Sequence, residues 1–209
     1  MVWDAIKRFF KNLLNKNVEK EITYKKYEEV KPPVTKETPV IYPDEFGDIV
    51  VNGEAKVEIL SVTKIILANQ ERYMAVQDAT GVPWKLVAGI HYRESSLDFR
   101  GCLHNGDPWN KKTVNVPKGR GPFTSWHESA IDAIILEKNK FPAKWDFAGQ
   151  MDFAEKFNGL GYRHKGLVSP YVYASTSKYH SGLYTSDGKF SSTKVDKRLG
   201  VACIVISLS

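Results

Sequence analysis

From about residue 59 onward, apolar residues recur every three or four positions, and that period commits this part of the chain to helices. Val62, Ile65, Ile66, Asn69, Tyr73 and Val76 mark one face of a first helix that ends before Gly81. Pro83 suits the first turn of a second helix, where its missing N–H is not needed, and that helix runs from Trp84 to about Ser95. Pro- and Gly-rich sequence fills 101–122. Ser125-Trp126-His127-Glu128 has the spacing of a capping box, in which serine and glutamate each satisfy a backbone N–H of the first turn, and opens a helix through Leu136. A helix over about 146–157 carries Phe147, Met151, Ala154 and Asn158 along one stripe. A last helix begins near Ser192, with Val195, Leu199, Ala202 and Ile206 on its core face. The fold class that follows is mainly α.

The residues before 59 have another character. Trp3, Ile6, Phe9, Phe10, Leu13 and Leu14 alternate at helical spacing with Lys7, Arg8, Lys11 and Lys16, which predicts an amphipathic helix over 1–17 with a basic polar side. Such a helix lies in a membrane interface, docks on a protein partner, or packs on its own domain. It lacks the compact apolar centre and small-residue cleavage site of a signal peptide. Over 18–58, Lys, Glu and Thr alternate, Pro32-Pro33 stiffens the chain, and short β-like pieces (40–42 and 49–51) sit beside the turn signal Asn52-Gly53. The expected organisation is therefore an irregular N-terminal extension, residues 1–58, and one helical domain, residues 59–209, in line with ~150 residues per domain.

An excess of 30 Lys+Arg over 24 Asp+Glu gives a net charge of +6. A basic surface can meet nucleic acid, an anionic membrane or the anionic bacterial wall. No basic cluster accompanies a recognition helix, so nucleic acid is not the expected partner. No apolar run approaches the ~18 residues of a membrane span. Cys102 and Cys203 are far apart and lack metal-ligand spacing, so they pair or, as the favoured reading, stay as buried thiols. His91, His104, His127, His164 and His180 form no HExxH arrangement, no nucleophile elbow accompanies a serine, and no cofactor or metal is expected.

Glu94 is the residue that asks for an explanation. Trp84, Val87, His91 and Glu94 step by three or four and share one stripe of the second helix. Trp84 and Val87 face the core, so a carboxyl on that stripe in the last turn sits in a partly dry place near the negative end of the helix dipole. Both effects disfavour its charge and raise its pKa. A carboxyl that stays protonated near neutral pH is what a general acid needs to protonate a glycosidic oxygen. The alternative is a surface glutamate paired with Arg93, Arg100 or Lys85.

Several blocks add a resemblance. His91-Tyr92-Arg93-Glu94-Ser95-Ser96-Leu97 resembles the helix-then-Glu-Ser signature of lysozyme-like lytic enzymes, the group that holds soluble lytic transglycosylases and goose-type lysozymes. Gly81-Val82-Pro83-Trp84, Ile90 to Ser96, His104-Asn105-Gly106-Asp107-Pro108, Phe157-Asn158-Gly159-Leu160-Gly161-Tyr162 and Ser169-Pro170-Tyr171-Val172-Tyr173 resemble blocks of a phage and bacterial family of lysozyme-like peptidoglycan hydrolases, in family order, over about 60–208. The resemblance implies a lysozyme-like helical domain and a muramidase or lytic transglycosylase that cuts the β-1,4 linkage of peptidoglycan glycan strands at the cell wall. A chitinase-like glycosidase and a non-catalytic wall-binding or virion protein are the alternatives. By the same resemblance Glu94 is the catalytic acid, Ser95 and Ser96 hold the site or the sugar, and Asn158 lines it. Tyr171 and Tyr173, with Tyr162 behind them, are the tyrosines nearest the acid. His91 itself reads as a cleft or core histidine bonded to the backbone, and in the cleft it would bind substrate. Two departures stand out: Phe157 occupies a tyrosine place, and Gly119-Arg120-Gly121-Pro122-Phe123-Thr124 replaces a Gly-Leu-(Met)-Gln segment.

A hydrolase would add a second carboxylate, ~6.5–9.5 Å away for inversion or ~5–5.5 Å for retention. Asp98, Asp107 and Glu128 are the candidates. Glu128 has a capping role and Asp98 sits where the helix ends. Asp107, in a loop able to cross the cleft, is either the second catalytic group or an Asp-Pro turn initiator. The five tyrosines of 162–184 stack on sugar faces or fill the core.

Overall fold

A computed structural model describes residues 47–186 and 188–209. The amphipathic stretch 1–17, the Pro-rich stretch and the β-like piece at 40–42 lie outside the described residues. What is described is mainly α-helical with one small antiparallel sheet. The α-helices are α1 Lys56–Ala68, α2 Gln70–Thr80, α3 Trp84–Ser95, α4 Trp126–Leu136, α5 Phe147–Asn158, α6 Pro170–Tyr173 and α7 Val201–Ser207. β1 Leu183–Ser186 pairs with β2 Lys189–Ser191, with an irregularity after Tyr184. Among the described residues no helix is long and apolar enough to cross a membrane.

α3 is the centre. Its residues Leu86 through Arg93 are all buried, so this helix is enclosed on every side rather than amphipathic. α2 packs on one side of it and α7 on another, while α4 lies against α2. Gly89 makes the α7 contact close, because a Cβ there would sit 3.1 Å from Val201 Cγ1. Burying a side chain such as Leu86 or Ile90, each fully inaccessible, contributes about 1.5–3 kcal/mol.

The first expected helix is two. Asn69 breaks it with φ −120° and ψ 18°, while its Nδ2 donates to Ile65 O. Turning there buries Val62, Ile66, Tyr73 and Val76 but leaves Ile65 exposed, so the single six-residue face does not hold. Gly81 (φ 78°) closes α2, a left-handed conformation that glycine adopts without a Cβ penalty. Pro83 stands just ahead of α3, and Trp84 N donates to Gln77 Oε1. At α4, Ser125 Oγ accepts from Glu128 N as the capping box requires, but Glu128 reaches back one residue further, to the N–H and hydroxyl of Thr124.

Two expectations need correction. The last helix starts at Val201, not near Ser192, and Val195 is exposed. Gly200 sets that start: a Cβ there would lie 2.4 Å from Val172 O, so the chain reaches α7 pressed against α6. The packed body also begins ahead of residue 59. Ile49, Val51 and Ala55 are buried in the common core, and Val50 and Asn52 exchange backbone hydrogen bonds with Ser177 and Ser175.

Candidate functional site

Glu94 lies in the last turn of α3. Beyond it the chain turns sharply through Ser96 (φ 53°) and Leu97 (φ 63°), two non-glycine residues in the left-handed region. Loop 101–107 folds back on this helix end: a Cβ on Gly106 would come within 2.9 Å of Glu94 O, and one on Gly101 within 2.9 Å of Gly106 O. Only glycine allows that approach, and it leaves the Glu94 side chain partly exposed at the edge of the core.

Tyr171, buried in the short helix α6, donates its hydroxyl to Glu94 Oε1 at 2.7 Å. Burial pushes the Glu94 carboxyl up to about 7, against the downward pulls of the Tyr171 hydrogen bond and of the Arg93 and Arg198 charges. Burial also drives the Tyr171 phenol upward, helped by Glu94, so the hydroxyl stays a donor. With Tyr171 donating to Oε1, the proton of the neutral carboxyl resides on Oε2.

A cationic scaffold surrounds this pair. Arg93, whose side chain is almost inaccessible, donates from Nη2 to Asp196 Oδ2 at 2.7 Å and from Nη1 to Leu199 O at 3.3 Å. Its guanidinium lies over the Tyr171 ring, 5.1 Å from the centroid. Asp196 also accepts from Arg198 Nε at 3.2 Å and Nη2 at 3.0 Å, and its N–H donates to Tyr179 Oη. Against the upward push of burial, Arg198 and Arg93 hold the Asp196 carboxyl below its usual value, so it is an anion. Arg93, Asp196 and Arg198 did not figure among the expected site residues. Asp196 and Arg198 lie in the stretch whose spacing predicts the last helix, and the sequence offers Arg93 only as a surface partner of Glu94.

The other expected residues divide. Ser95 Oγ donates to His91 O and Asp98 O, which ties the helix end to the turn that follows. Ser96 is exposed in that turn. Of the two readings of His91, cleft or core, the structure has the core one, so it does not bind substrate from a cleft. It is sealed in the core, with Nδ1 2.9 Å from Tyr73 Oη, Nε2 3.2 Å from Asp98 O, and the Phe99 and Trp126 rings packed on it. Burial lowers its pKa to about 4, so it stays neutral. Tyr162 belongs to a ring cluster with Tyr184 and Phe190 at the hairpin, where its hydroxyl accepts from Tyr184 N. Tyr173 lies under Lys178, and Asn158 is the exposed last residue of α5.

Each candidate for the second carboxylate has other work. Asp107 Oδ2 accepts from Val114 N and Asn115 N, and Oδ1 from Asn115 Nδ2, so it pins the 113–115 loop. Asp98 binds the Arg100 guanidinium and backbone N–H, and Glu128 caps α4. An open recess of about 480 Å³ is lined by Asp98, Gly101, Gly106, Trp109 and neighbours. Glu94 and Tyr171 are not part of that lining, so the recess does not enclose the hydrogen-bonded pair. Among the described residues no three His, Cys, Asp or Glu side chains gather as a metal site, and Cys102 and Cys203 are both buried free thiols. Comparison with protein families, with curated proteins and with solved structures finds no match to this chain.

Proposed function

We propose that this protein cleaves the β-1,4 glycan strands of the bacterial cell wall on a lysozyme-like helical scaffold, with Glu94 as the proton donor. The observation that carries the reading is a half-buried carboxyl held at about 7 with Tyr171 fixed on its Oε1. Such a group is still largely protonated just below neutral pH and ionises readily once it has given up its proton, so it serves as acid and then as base. The Glu94 proton passes from Oε2 to the glycosidic oxygen as the C1–O bond breaks. The Tyr171 hydroxyl stabilises the carboxylate that forms.

Asp98, Asp107 and Glu128 are all engaged elsewhere, which favours the route that needs one carboxylate. In that route the Glu94 carboxylate takes the proton of the muramic acid C6 hydroxyl, whose oxygen attacks C1 and closes a 1,6-anhydro ring. No water enters, and the glutamate ends the cycle protonated. This is lytic transglycosylation; a muramidase would require a carboxylate to be released from its present partners.

Purified peptidoglycan, followed by turbidity and by mass spectrometry of the products, tests the reading. Wild type should release fragments with 1,6-anhydro ends, and Glu94→Gln should release none. Reducing ends in place of anhydro ends would assign hydrolysis. Cleavage of chitin oligosaccharides alone would assign a chitinase-like enzyme. Binding to the wall without any cleavage would make the protein a non-catalytic wall or virion component.

A further inference from the structure

We propose that Arg198 is the docking point for a substrate carboxylate, the one on the lactyl ether of a muramyl residue, so that the site selects muramyl glycans over neutral aminosugar polymers. The inference rests on the glycan-cleaving reading above and names the substrate group that the site reads.

Three observations converge on Arg198. The first is accessibility: its side chain is 55 % exposed, whereas that of Arg93 on the same carboxylate is 3 % exposed. Of the two cations, only Arg198 can meet a ligand. The second is preorganisation. Asp196 grips Arg198 through Nε and Nη2 and through the Arg198 backbone N–H, and is itself locked by Arg93 and Tyr179. A guanidinium has five N–H donors in a rigid fork, so two are spent on Asp196 and the outer edge remains for a planar bidentate partner such as a carboxylate. Because the fork is already oriented, little rotamer entropy is lost when that partner arrives.

The third observation is charge. Around the reactive pair stand two guanidiniums and one carboxylate, Asp196. Below its raised pKa Glu94 is largely neutral, so Asp196 is then the one anion that Arg93 and Arg198 both bind. Arg198 shares the Asp196 carboxylate with Arg93, whose guanidinium lies over the Tyr171 ring at 5.1 Å, and its charge is felt by both Glu94 and Tyr171, so it belongs to the same cluster as the pair. An anion on Arg198 would offset its pull on the Glu94 carboxyl and so help to keep the acid in its proton-bearing form while substrate is bound. A chitin chain has no carboxylate and would leave that charge unmatched.

Binding to the non-cleaving Glu94→Gln protein tests this, with Arg198→Gln or Arg198→Lys added. The probes are glycan strands stripped of peptide (free lactyl carboxylates), peptide-bearing strands (lactyl carboxyl amidated, carboxylates further out) and chitohexaose. Arg198→Gln should weaken binding of stripped strands about tenfold, the scale of one charge-assisted hydrogen-bonded contact. Chitohexaose should change less than about twofold, and Arg198→Lys should recover part of the loss because it restores the charge without the fork. Equal losses on all three probes, or none on any, would overturn the proposal. A loss confined to peptide-bearing strands would overturn the lactyl assignment and move the contact to the peptide stem. Cleavage of peptidoglycan by the wild-type protein is the parallel control: if it occurs while Arg198→Gln shows no selectivity, only this inference falls. If it fails, the parent reading falls as well.

Discussion

Glu94→Gln should make the protein more stable, and only above mildly acidic pH. The folded state raises this carboxyl from the ordinary 4.5 to about 7 because burial opposes its charge. Between those values the unfolded chain releases the proton while the folded chain keeps it, so folding stability falls as pH rises through the window and levels off above about 7. At about 1.4 kcal/mol per pH unit the full cost is about 3.5 kcal/mol; the partly wetted edge of the carboxyl brings the expectation to about 2–3 kcal/mol. Glutamine keeps the shape and still accepts from Tyr171, but has no proton to lose, so it escapes the penalty. Urea unfolding of both proteins at intervals from pH 4 to pH 8.5 measures the difference directly. The curves should coincide near pH 4 and separate by about 2–3 kcal/mol at pH 8, or about 5–10 °C in Tm for a chain of this size. A separation that is constant with pH would refute the idea that Glu94 is held protonated by its surroundings, whatever its role in cleavage.

Tyr171→Phe removes a bond that lowers the Glu94 pKa, so the alkaline limb of the cleavage profile should move upward from near 7 by about one pH unit, read from rates on purified peptidoglycan. Asp107→Asn turns one of the two acceptor oxygens into an NH2, so one or two loop donors lose their acceptor, and it should cost about 1–3 kcal/mol in urea unfolding. The same variant should still form anhydro-ended products at near the wild-type rate per folded molecule. A chain begun at Ile59 loses the buried Ile49 and Val51 and should be destabilised by about 3–5 kcal/mol. Full stability in that truncated chain would return the domain boundary to residue 59.

The placement of Glu94 at a half-buried helix end was legible because the helix that carries it has a plain apolar period and ends in a Glu-Ser turn. The same stripe left His91 open between cleft and core. A helical period says which residues share a face, not where a covering element stops, and α2 with Trp126 covers position 91 while position 94 emerges at the rim. Asp196 and Arg198 were hidden by coincidence. Val195, Leu199, Ala202 and Ile206 fit a helical spacing, but Gly200 must pass within touching distance of Val172 and Ala174, and the chain ahead of it is not helical. The hairpin has its own signal in the sequence: Asp187-Gly188 between Leu183-Tyr184 and Phe190 is a strong two-residue turn signal. The Tyr171 contact bridges positions 94 and 171, and no local pattern determines which of several tyrosines makes so distant a bond.

That distance also orders events in time. Arg93 and Glu94 are synthesised together with the rest of their helix, but Tyr171 lies 77 positions downstream and the Asp196 partner of Arg93 lies 103 downstream. Contacts of such long separation carry the loop-closure cost that makes them form late. A nascent or prematurely ended chain can therefore contain the acid and its whole helix while lacking the hydroxyl that steadies it and the cation clamp behind it. The proposed cutting activity would then be withheld from every unfinished copy and switched on only as the C-terminal segment closes over α3.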